Sequence, residues 1–342
     1  MSETDTAKAI FVPFAAGEIP VPGAGARVLL LNACVAEDMG MLADCAVTAQ
    51  QDFRPFARGL ENRGAVVETA LDGDGGYDVV MVRARKQKDE NRALLAAALK
   101  RLAKGGTMVV AGANDAGGKR LSQEMAALGV KLNEISKHHC RILFGSVNGF
   151  DGAAVDTALV AAAPRVIDIA AVDTWTQPGL FGWDRLDPGT YFLLLHLPRD
   201  FRGNGADLGC GTGIISRFML ETNPGIKNIL CVDADARAID MTRRNITDAR
   251  MAAVWRAVGQ EEIPAKALDW VVMNPPFHEG ALTASSVGVA FIRVAADLLR
   301  ARGTLWMVAN AHLPYEEHLA AAFTNITKIA EGDGYKVYKA VK

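Results

Sequence analysis

Ala206-Asp-Leu-Gly-Cys-Gly-Thr-Gly213 runs without interruption into Ile214-Ile-Ser-Arg-Phe-Met-Leu220. The pattern is a short apolar strand, a glycine-rich turn and an apolar helix start. Glycines at 209, 211 and 213 allow the sharp turn and close backbone approach that a strand-to-helix crossover over a ligand requires. Ile229-Leu-Cys-Val232 reads as the next strand and ends at Asp233. An acid about twenty residues past such glycines is placed to take both hydroxyls of a ribose. The glycines alternate instead of following Gly-x-Gly-x-x-Gly, and no Gly-Lys-Ser/Thr loop occurs, which argues against a dinucleotide or a nucleoside triphosphate.

Further on, the apolar run Ala267-Leu-Asp-Trp-Val-Val-Met273 is closed by Asn274-Pro-Pro-Phe277. Each proline lacks an N–H and fixes φ, so the strand must stop on a stiff edge. There the Asn274 carboxamide oxygen and the Pro275 carbonyl are both acceptors. Two fixed acceptors followed by an aromatic ring suit a flat, amine-bearing group. Asn-Pro-Pro is also ordinary turn punctuation. What favours a site is its order after the glycine turn and the acid, all at strand ends, which places one pocket at the carboxyl edge of a parallel sheet.

With these residues the chain resembles the class I S-adenosylmethionine-dependent methyltransferases, and among them the amino-methyltransferases with Asn-Pro-Pro-Phe or Asn-Pro-Pro-Tyr. Gln177-Pro-Gly-Leu-Phe181, Leu186-Asp-Pro-Gly-Thr190, Asp207 to Gly213, Asn274-Pro-Pro-Phe-His278 with Gly280, and Val308-Ala-Asn-Ala-His-Leu-Pro-Tyr315 follow in the order of the ribosomal RNA guanine-N2 methyltransferases. The likeness spans the chain, more strongly after about residue 175. It implies S-adenosyl-L-methionine as cofactor and the exocyclic N2 amine of a guanine in 16S ribosomal RNA as target. The alternatives are 23S ribosomal RNA, or a protein glutamine, whose methyltransferases share Asn-Pro-Pro but usually carry Tyr in fourth place. A non-catalytic RNA-binding protein on the same fold is the different-class alternative, and the intact segments 207–213 and 274–277 speak against it.

On this resemblance Asp207, Gly209, Cys210, Gly211 and Gly213 line the methionine side of the cofactor, Asp233 its ribose, and Asn274 both cofactor and substrate. Leu186, Asp187 and Thr190 cover the methionine end. One departure stands out: the acid that usually follows the third strand and meets the adenine amine is missing from Val254-Trp-Arg-Ala-Val-Gly-Gln260, and the first acid is Glu261. Gln260 or a backbone carbonyl is the expected substitute. The catalytic set is Asn274, Pro275, Pro276 and Phe277, the ring stacking on the base; His278 is a supporting substrate contact. The small, polar stretch from His278 to Ser286 reads as a loop closing over substrate.

An internal repeat organises the chain. Tyr77-Asp-Val-Val-Met-Val82, a helical stretch through Leu102 and Gly105-Gly-Thr-Met-Val-Val-Ala111 parallel Leu268–Met273, a helix through Leu299 and Gly303-Thr-Leu-Trp-Met-Val-Ala309. Leu94, Leu95, Ala98, Leu99 and Leu102 share one helical stripe, as do Phe291, Val294, Ala295, Leu298 and Leu299. In the first copy Arg83 stands where the second has Asn274, and Asn32-Ala-Cys-Val-Ala36 lacks every glycine of the later turn. The expected architecture is two tandem Rossmann-like α/β domains. Residues 1–165 form a degenerate copy for support and RNA contact; residues 166–342 form the catalytic one, its mostly parallel sheet ending in an antiparallel hairpin over 326–340. The stretch 144–163, rich in alanine and glycine, shows little regular pattern.

Formal net charge is −2 and pI about 6.3, so RNA contact demands local basic patches. Arg83, Arg85, Lys86 and Lys88 form the densest; Lys119-Arg120, Lys137-His-His139 with Arg141, and Arg243-Arg244 follow. The five cysteines lack metal-ligand spacing, which fits reduced thiols and no metal. No leader or membrane-length apolar run is evident, so a soluble, cytoplasmic monomer is expected, with ribosomal RNA or the small subunit as partner.

Overall fold

Val28-Leu-Leu-Leu31 and Val79-Val-Met-Val82 are apolar at every position, the signature of strands covered on both faces. In a computed structural model, which describes residues 3–70, 75–264, 267–276 and 284–342, they lie at the centre of a parallel sheet. The chain divides into two units, Met1–Ala163 and Pro164–Lys342. The first contains β1 (Arg27–Leu31), β2 (Ala46–Gln50), β3 (Val67–Glu68), β4 (Tyr77–Arg83), β5 (Leu102–Ala113), β6 (Asn133–Lys137) and β7 (Cys140–Ser146), in the order β3-β2-β1-β4-β5-β7-β6. Of these seven strands β7 alone runs opposite to the others.

The second unit opens with a hairpin, β8 (Arg165–Ile169) and β9 (Val172–Thr176). It then repeats the first sheet. β10 (Gly203–Leu208), β11 (Ile226–Asp233), β12 (Met251–Trp255), β13 (Leu268–Met273), β14 (Leu299–Asn310), β15 (Asn325–Gly332) and β16 (Tyr335–Val341) take the order β12-β11-β10-β13-β14-β16-β15. Of these seven strands β16 alone runs opposite to the others, completing the expected terminal hairpin.

Strand register fixes the correspondence between copies. Leu31 faces Val82 across β1 and β4, as Leu208 faces Met273 across β10 and β13. Arg83 therefore stands at the position of Asn274, and Asn32 at that of Gly209. Leu31 likewise faces Gln50 where Leu208 faces Val232, so Gln51 stands where the second unit has Asp233.

Alternation along β13 decides what each face meets. Val271 and Met273 join Phe291, Ile292 and Ala295 of the helix Ala284–Leu298. Trp270 and Val272 join Leu193, Ile215 and Met219 on the opposite face. Each Val, Leu, Ile, Met or Phe side chain among them contributes about 1.5–3 kcal/mol on full burial. Asn274, the next even position, is thereby directed toward the helix Pro188–His196.

Three expectations need correction. The helical stripes stop one residue early: Leu102 takes an extended conformation (φ −71°, ψ 134°) and opens β5, and Leu299 opens β14. The stretch 144–163 is not irregular, because Gly152–Ala161 is a helix whose first turn is capped by Asp151, accepting from the Ala154 N–H at 3.0 Å. Val155 and Ala158 are its buried residues, too few to make a visible period in an alanine-rich segment. Residues 284–286, expected in a loop, begin the helix Ala284–Leu298. No helix among the described residues is long and apolar enough to cross a membrane.

Candidate active site at the carboxyl edge of the second sheet

The glycine turn links β10 to the helix Ile214–Thr222. Gly213 caps that helix at φ +84°, and a Cβ there would lie 3.1 Å from Thr242 and Ile246, so glycine is required by packing and conformation together. Gly211 differs. At φ +56° its missing Cβ would meet nothing within 4 Å, so the turn faces open space there. The Gly211 N–H donates to Asp233 Oδ2 at 2.8 Å, and the Thr242 hydroxyl donates to its carbonyl at 2.9 Å. Cys210 turns inward instead: its side chain is buried beside Cys231 and Ile239, and its N–H donates to the Val232 carbonyl at 3.0 Å.

Two carboxylates flank the turn. Asp207 is fully buried and accepts from the Ser216 hydroxyl at 2.7 Å. Burial pushes its pKa up to about 7, opposed by hydrogen bonds from Ser216 and reinforced by repulsion from Asp233. Its other oxygen, Oδ1, is sealed from solvent without a hydrogen-bond partner among the described residues. Asp233 also accepts from the Asp235 N–H at 2.8 Å; burial raises its pKa to about 6 against those backbone donors.

Asn274 completes the corner at the end of β13, only 8% exposed. Its Nδ2 donates to Asp187 Oδ2 at 3.0 Å and Thr190 Oγ1 at 2.9 Å. Asp187 is itself the cap of the helix Pro188–His196, accepting from the Thr190 N–H at 2.8 Å. A carboxylate offers only acceptors, so the amide nitrogen must face Asp187. The amide oxygen is left as a buried acceptor with no partner among the described residues. Pro275 and Pro276 follow without N–H groups to compete for it. Asp187 and Thr190, expected at the methionine end of the cofactor, thus make direct bonds to Asn274.

The first unit shows the same corner filled. Asn32 keeps the left-handed turn at φ +52° without glycine. Arg83 folds onto it, donating from Nε to the Asn32 carbonyl at 2.8 Å and from a terminal nitrogen to Asn32 Oδ1 at 3.0 Å, with its guanidinium over the Phe56 ring. Gln51, in the place of Asp233, is neutral and accepts from the Phe53 N–H at 2.8 Å. Arg85 pairs with Asp52 at 2.5 Å and Glu90 at 2.6 Å. Of the expected RNA contacts, Arg83 and Arg85 are committed inside the unit, whereas Lys86 and Lys88 are exposed.

Phe277, His278 and Gly280 lie outside the described residues. Glu261, the first acid after β12, accepts from the Ala257 N–H at 3.0 Å and so closes its own turn. Sequence patterns did not disclose Ser216, Thr242 or Asn245. Asn245 ties the β8–β9 hairpin to the glycine turn, accepting from the Trp175 N–H at 2.7 Å and donating to the Thr212 carbonyl at 2.8 Å. The available signal was polar residues on otherwise apolar helix faces just after the motif. An open cavity of about 520 Å³ lies at the amino edge of the sheet, beside Arg202, Asp269 and Trp306, and none of the expected site residues lines it. No group of three or more His, Cys, Asp or Glu among the described residues is placed to hold a metal ion.

Comparison with known proteins covers both sheets. Residues 26–149 match the family model of the methyltransferase small domain N-terminal region, and residues 171–339 that of the methyltransferase small domain. The chain is 32% identical over 282 residues to ribosomal RNA small subunit methyltransferase C of Shewanella sp. (strain MR-4), spanning 77% of this chain and 76% of the relative. It is 31% identical over 277 residues to the protein of that name from Shewanella pealeana, spanning 80% of each. In fold it is similar to a 16S rRNA N2 methyltransferase of T. Thermophilus solved with AdoMet and guanosine, at TM-score 0.80 and 24% identity over 94% of this chain and 90% of that one. By these matches across both sheets, the chain belongs to the ribosomal RNA small subunit methyltransferase C family.

Proposed function

We propose that the protein transfers a methyl group from S-adenosyl-L-methionine to the exocyclic N2 amine of a guanine in 16S ribosomal RNA. The observation that carries this is the orientation of Asn274: its nitrogen is held by Asp187 and Thr190, and its buried oxygen awaits a donor. An amine with two N–H bonds is the donor such an edge accepts best, one to Asn274 Oδ1 and one to the Pro275 carbonyl.

The residues present fit the cofactor. Gly211 leaves room for a ligand against the turn, and the unpartnered Asp207 Oδ1 suits an ammonium group. Asp233 suits a ribose diol. When bound, the cofactor supplies an electrophilic methyl on sulfur. The guanine amine is a poor nucleophile because its lone pair is delocalised into the ring. Asn274 and Pro275 hold both N–H bonds, aim the lone pair and stabilise the positive charge that develops on nitrogen. The proton leaves after transfer, so no strong base is needed. To Phe277 we assign stacking on the base and to His278 a supporting substrate contact. RNA duplexes do not present an isolated guanine to such a corner, so the nucleotide is flipped out or presented unpaired.

The first unit serves as a support and RNA-contact domain. Sheet order brings Lys86 and Lys88 after β4, Lys119 after β5 and Lys137-His-His139 at the β6–β7 turn to one edge, all of them exposed. That is the local positive density which phosphate binding requires despite the net charge of −2. The test is transfer of tritiated methyl into isolated small-subunit RNA, large-subunit RNA, assembled small subunits and a release-factor peptide. Incorporation confined to small-subunit substrates supports the reading; incorporation into large-subunit RNA or peptide instead contradicts it.

A further inference from the structure

Asn310 closes β14 and pairs in register with Tyr335, which opens β16. Alternation along β14 sends Trp306 and Val308 into the layer that receives Trp270 and Val272 of β13. Asn310, the next even position, therefore projects to the same face as Asn274, one strand along the carboxyl edge. Tyr335 reaches this corner from the other side. A Cβ on Gly189 would lie 2.8 Å from the Tyr335 ring, so glycine there lets the ring rest on the first turn of the helix Pro188–His196. Burial raises the Tyr335 pKa, and the charge of Asp187, the residue that holds Asn274, adds to that effect.

Asn310 and Tyr335 are both half-buried, and neither side chain makes a hydrogen bond to any described residue. Polar side chains at the ends of helices and strands usually satisfy themselves locally, as Asp187 at its helix start and Asp233 at the end of β11 do here. Two register partners with idle polar groups, on the face of a buried idle acceptor, form a candidate second wall for a planar substrate.

We propose that Asn310 reads the N1–H and O6 edge of the target guanine while Tyr335 walls the pocket beside it. The assignment rests on the guanine reading above. Along one edge guanine presents its 2-amine, then N1–H as donor, then O6 as acceptor. With the amine held at Asn274 and Pro275, a second carboxamide matches the rest: its oxygen accepts from N1–H and its nitrogen donates to O6. Adenine has no 2-amine and lacks both the N1 proton and O6. A two-bond contact of this kind discriminates by about 10- to 100-fold. The same contact fixes the base in plane, so it positions the amine as well as selecting it.

The experiment uses the full chain with a synthetic RNA spanning the nucleotide that the wild type methylates, carrying either guanine or 2-aminopurine there. The analogue keeps the reacting amine and lacks O6 and the N1 proton. The wild type is expected to prefer guanine by about 10- to 100-fold. Asn310→Ala lowers transfer to guanine by that factor, leaves transfer to 2-aminopurine close to wild type, and binds the cofactor normally. Tyr335→Ala raises KM for both bases alike. Should the alanine variant fail to fold, Asn310→Leu gives the same reading, because it keeps the side-chain bulk and removes both the acceptor for N1–H and the donor to O6. An unchanged guanine preference, or an equal fall for both bases in Asn310→Ala, overturns the assignment while leaving the guanine reading intact. No transfer to any RNA guanine by the wild type overturns both.

Discussion

The Asn274 amide donates to Asp187 across 3.0 Å, joining residues 87 positions apart in the chain, and this bond decides which end of the amide is left without a partner among the described residues. The same Asp187 oxygen caps a helix, so the amide is referenced to a rigid element. Loss of the oxygen should therefore affect the chemical step and spare cofactor binding. Asn274→Ala is expected to lower kcat by about 10²–10³-fold, the usual cost of one aligned polar group, with cofactor affinity near wild type by calorimetry. Asp187→Asn tests the orientation itself. Its side chain offers a donor as well as an acceptor, the Asn274 amide is no longer forced, and kcat falls by roughly 10-fold. Loss of cofactor affinity equal to the loss of kcat in Asn274→Ala would contradict the role given to Asn274.

Gly211 and Gly213 look alike in sequence and should fail differently. Both substitutions to alanine strain a left-handed residue by about 1–2 kcal/mol. Gly213→Ala also drives a methyl against Thr242 and Ile246, so its thermal midpoint falls further. Gly211→Ala puts the methyl into open space where the cofactor is expected, so cofactor affinity falls by roughly 10- to 100-fold with only the strain-sized loss of stability. Comparing melting and cofactor binding for the two variants checks this.

The turn and strand ends were legible in the sequence because backbone demands produce them: positive φ at Gly211 and Gly213, no N–H at Pro275 and Pro276. The repeat was legible because both sheets need the same apolar strands. The Asn274–Asp187 bond was not, since a side-chain pairing between distant segments leaves no local period. Charge density suggested Arg83 and Arg85 as RNA contacts, but their partners, Asn32, Asp52 and Glu90, are brought to them only by the fold. The helix Gly152–Ala161 was hidden for the opposite reason, an alanine-rich stretch with too narrow an apolar stripe.

The raised carboxyls give a pH signature with opposite signs for stability and binding. Asp207 and Asp233 titrate at about 7 and about 6 in the folded protein against 3.8 as the ordinary value. The folded chain thus holds protons that the unfolded chain has released, so unfolding stability of the free protein should decrease as pH rises from about 4 to about 7. Denaturation midpoints at pH 5 and pH 7.5 measure this, and Asp207→Asn should flatten the slope. Cofactor affinity should move the other way. Ionised Asp233 accepts both ribose hydroxyls, so binding weakens as pH falls through about 6, and Asp233→Asn removes that dependence along with much of the affinity.

In the first unit, the internally bonded and the exposed cations should separate. Arg83→Ala removes two hydrogen bonds to Asn32 and the contact with Phe56, and should cost about 1–3 kcal/mol of stability without altering the salt dependence of RNA binding. Lys86→Glu with Lys88→Glu should leave the thermal midpoint near wild type and reduce the slope of log affinity against log salt by about 1–2. Filter binding over a salt series distinguishes the two.

The most direct test of the central claim is the identity of the modified nucleoside. Small-subunit RNA is incubated with the protein and methyl-labelled S-adenosylmethionine, digested to nucleosides and resolved by mass spectrometry. The account predicts N2-methylguanosine as the labelled product, its yield collapsing in Asn274→Ala. Label on a ring nitrogen, a ribose hydroxyl or another base, or N2-methylguanosine formed equally well by Asn274→Ala, would contradict it.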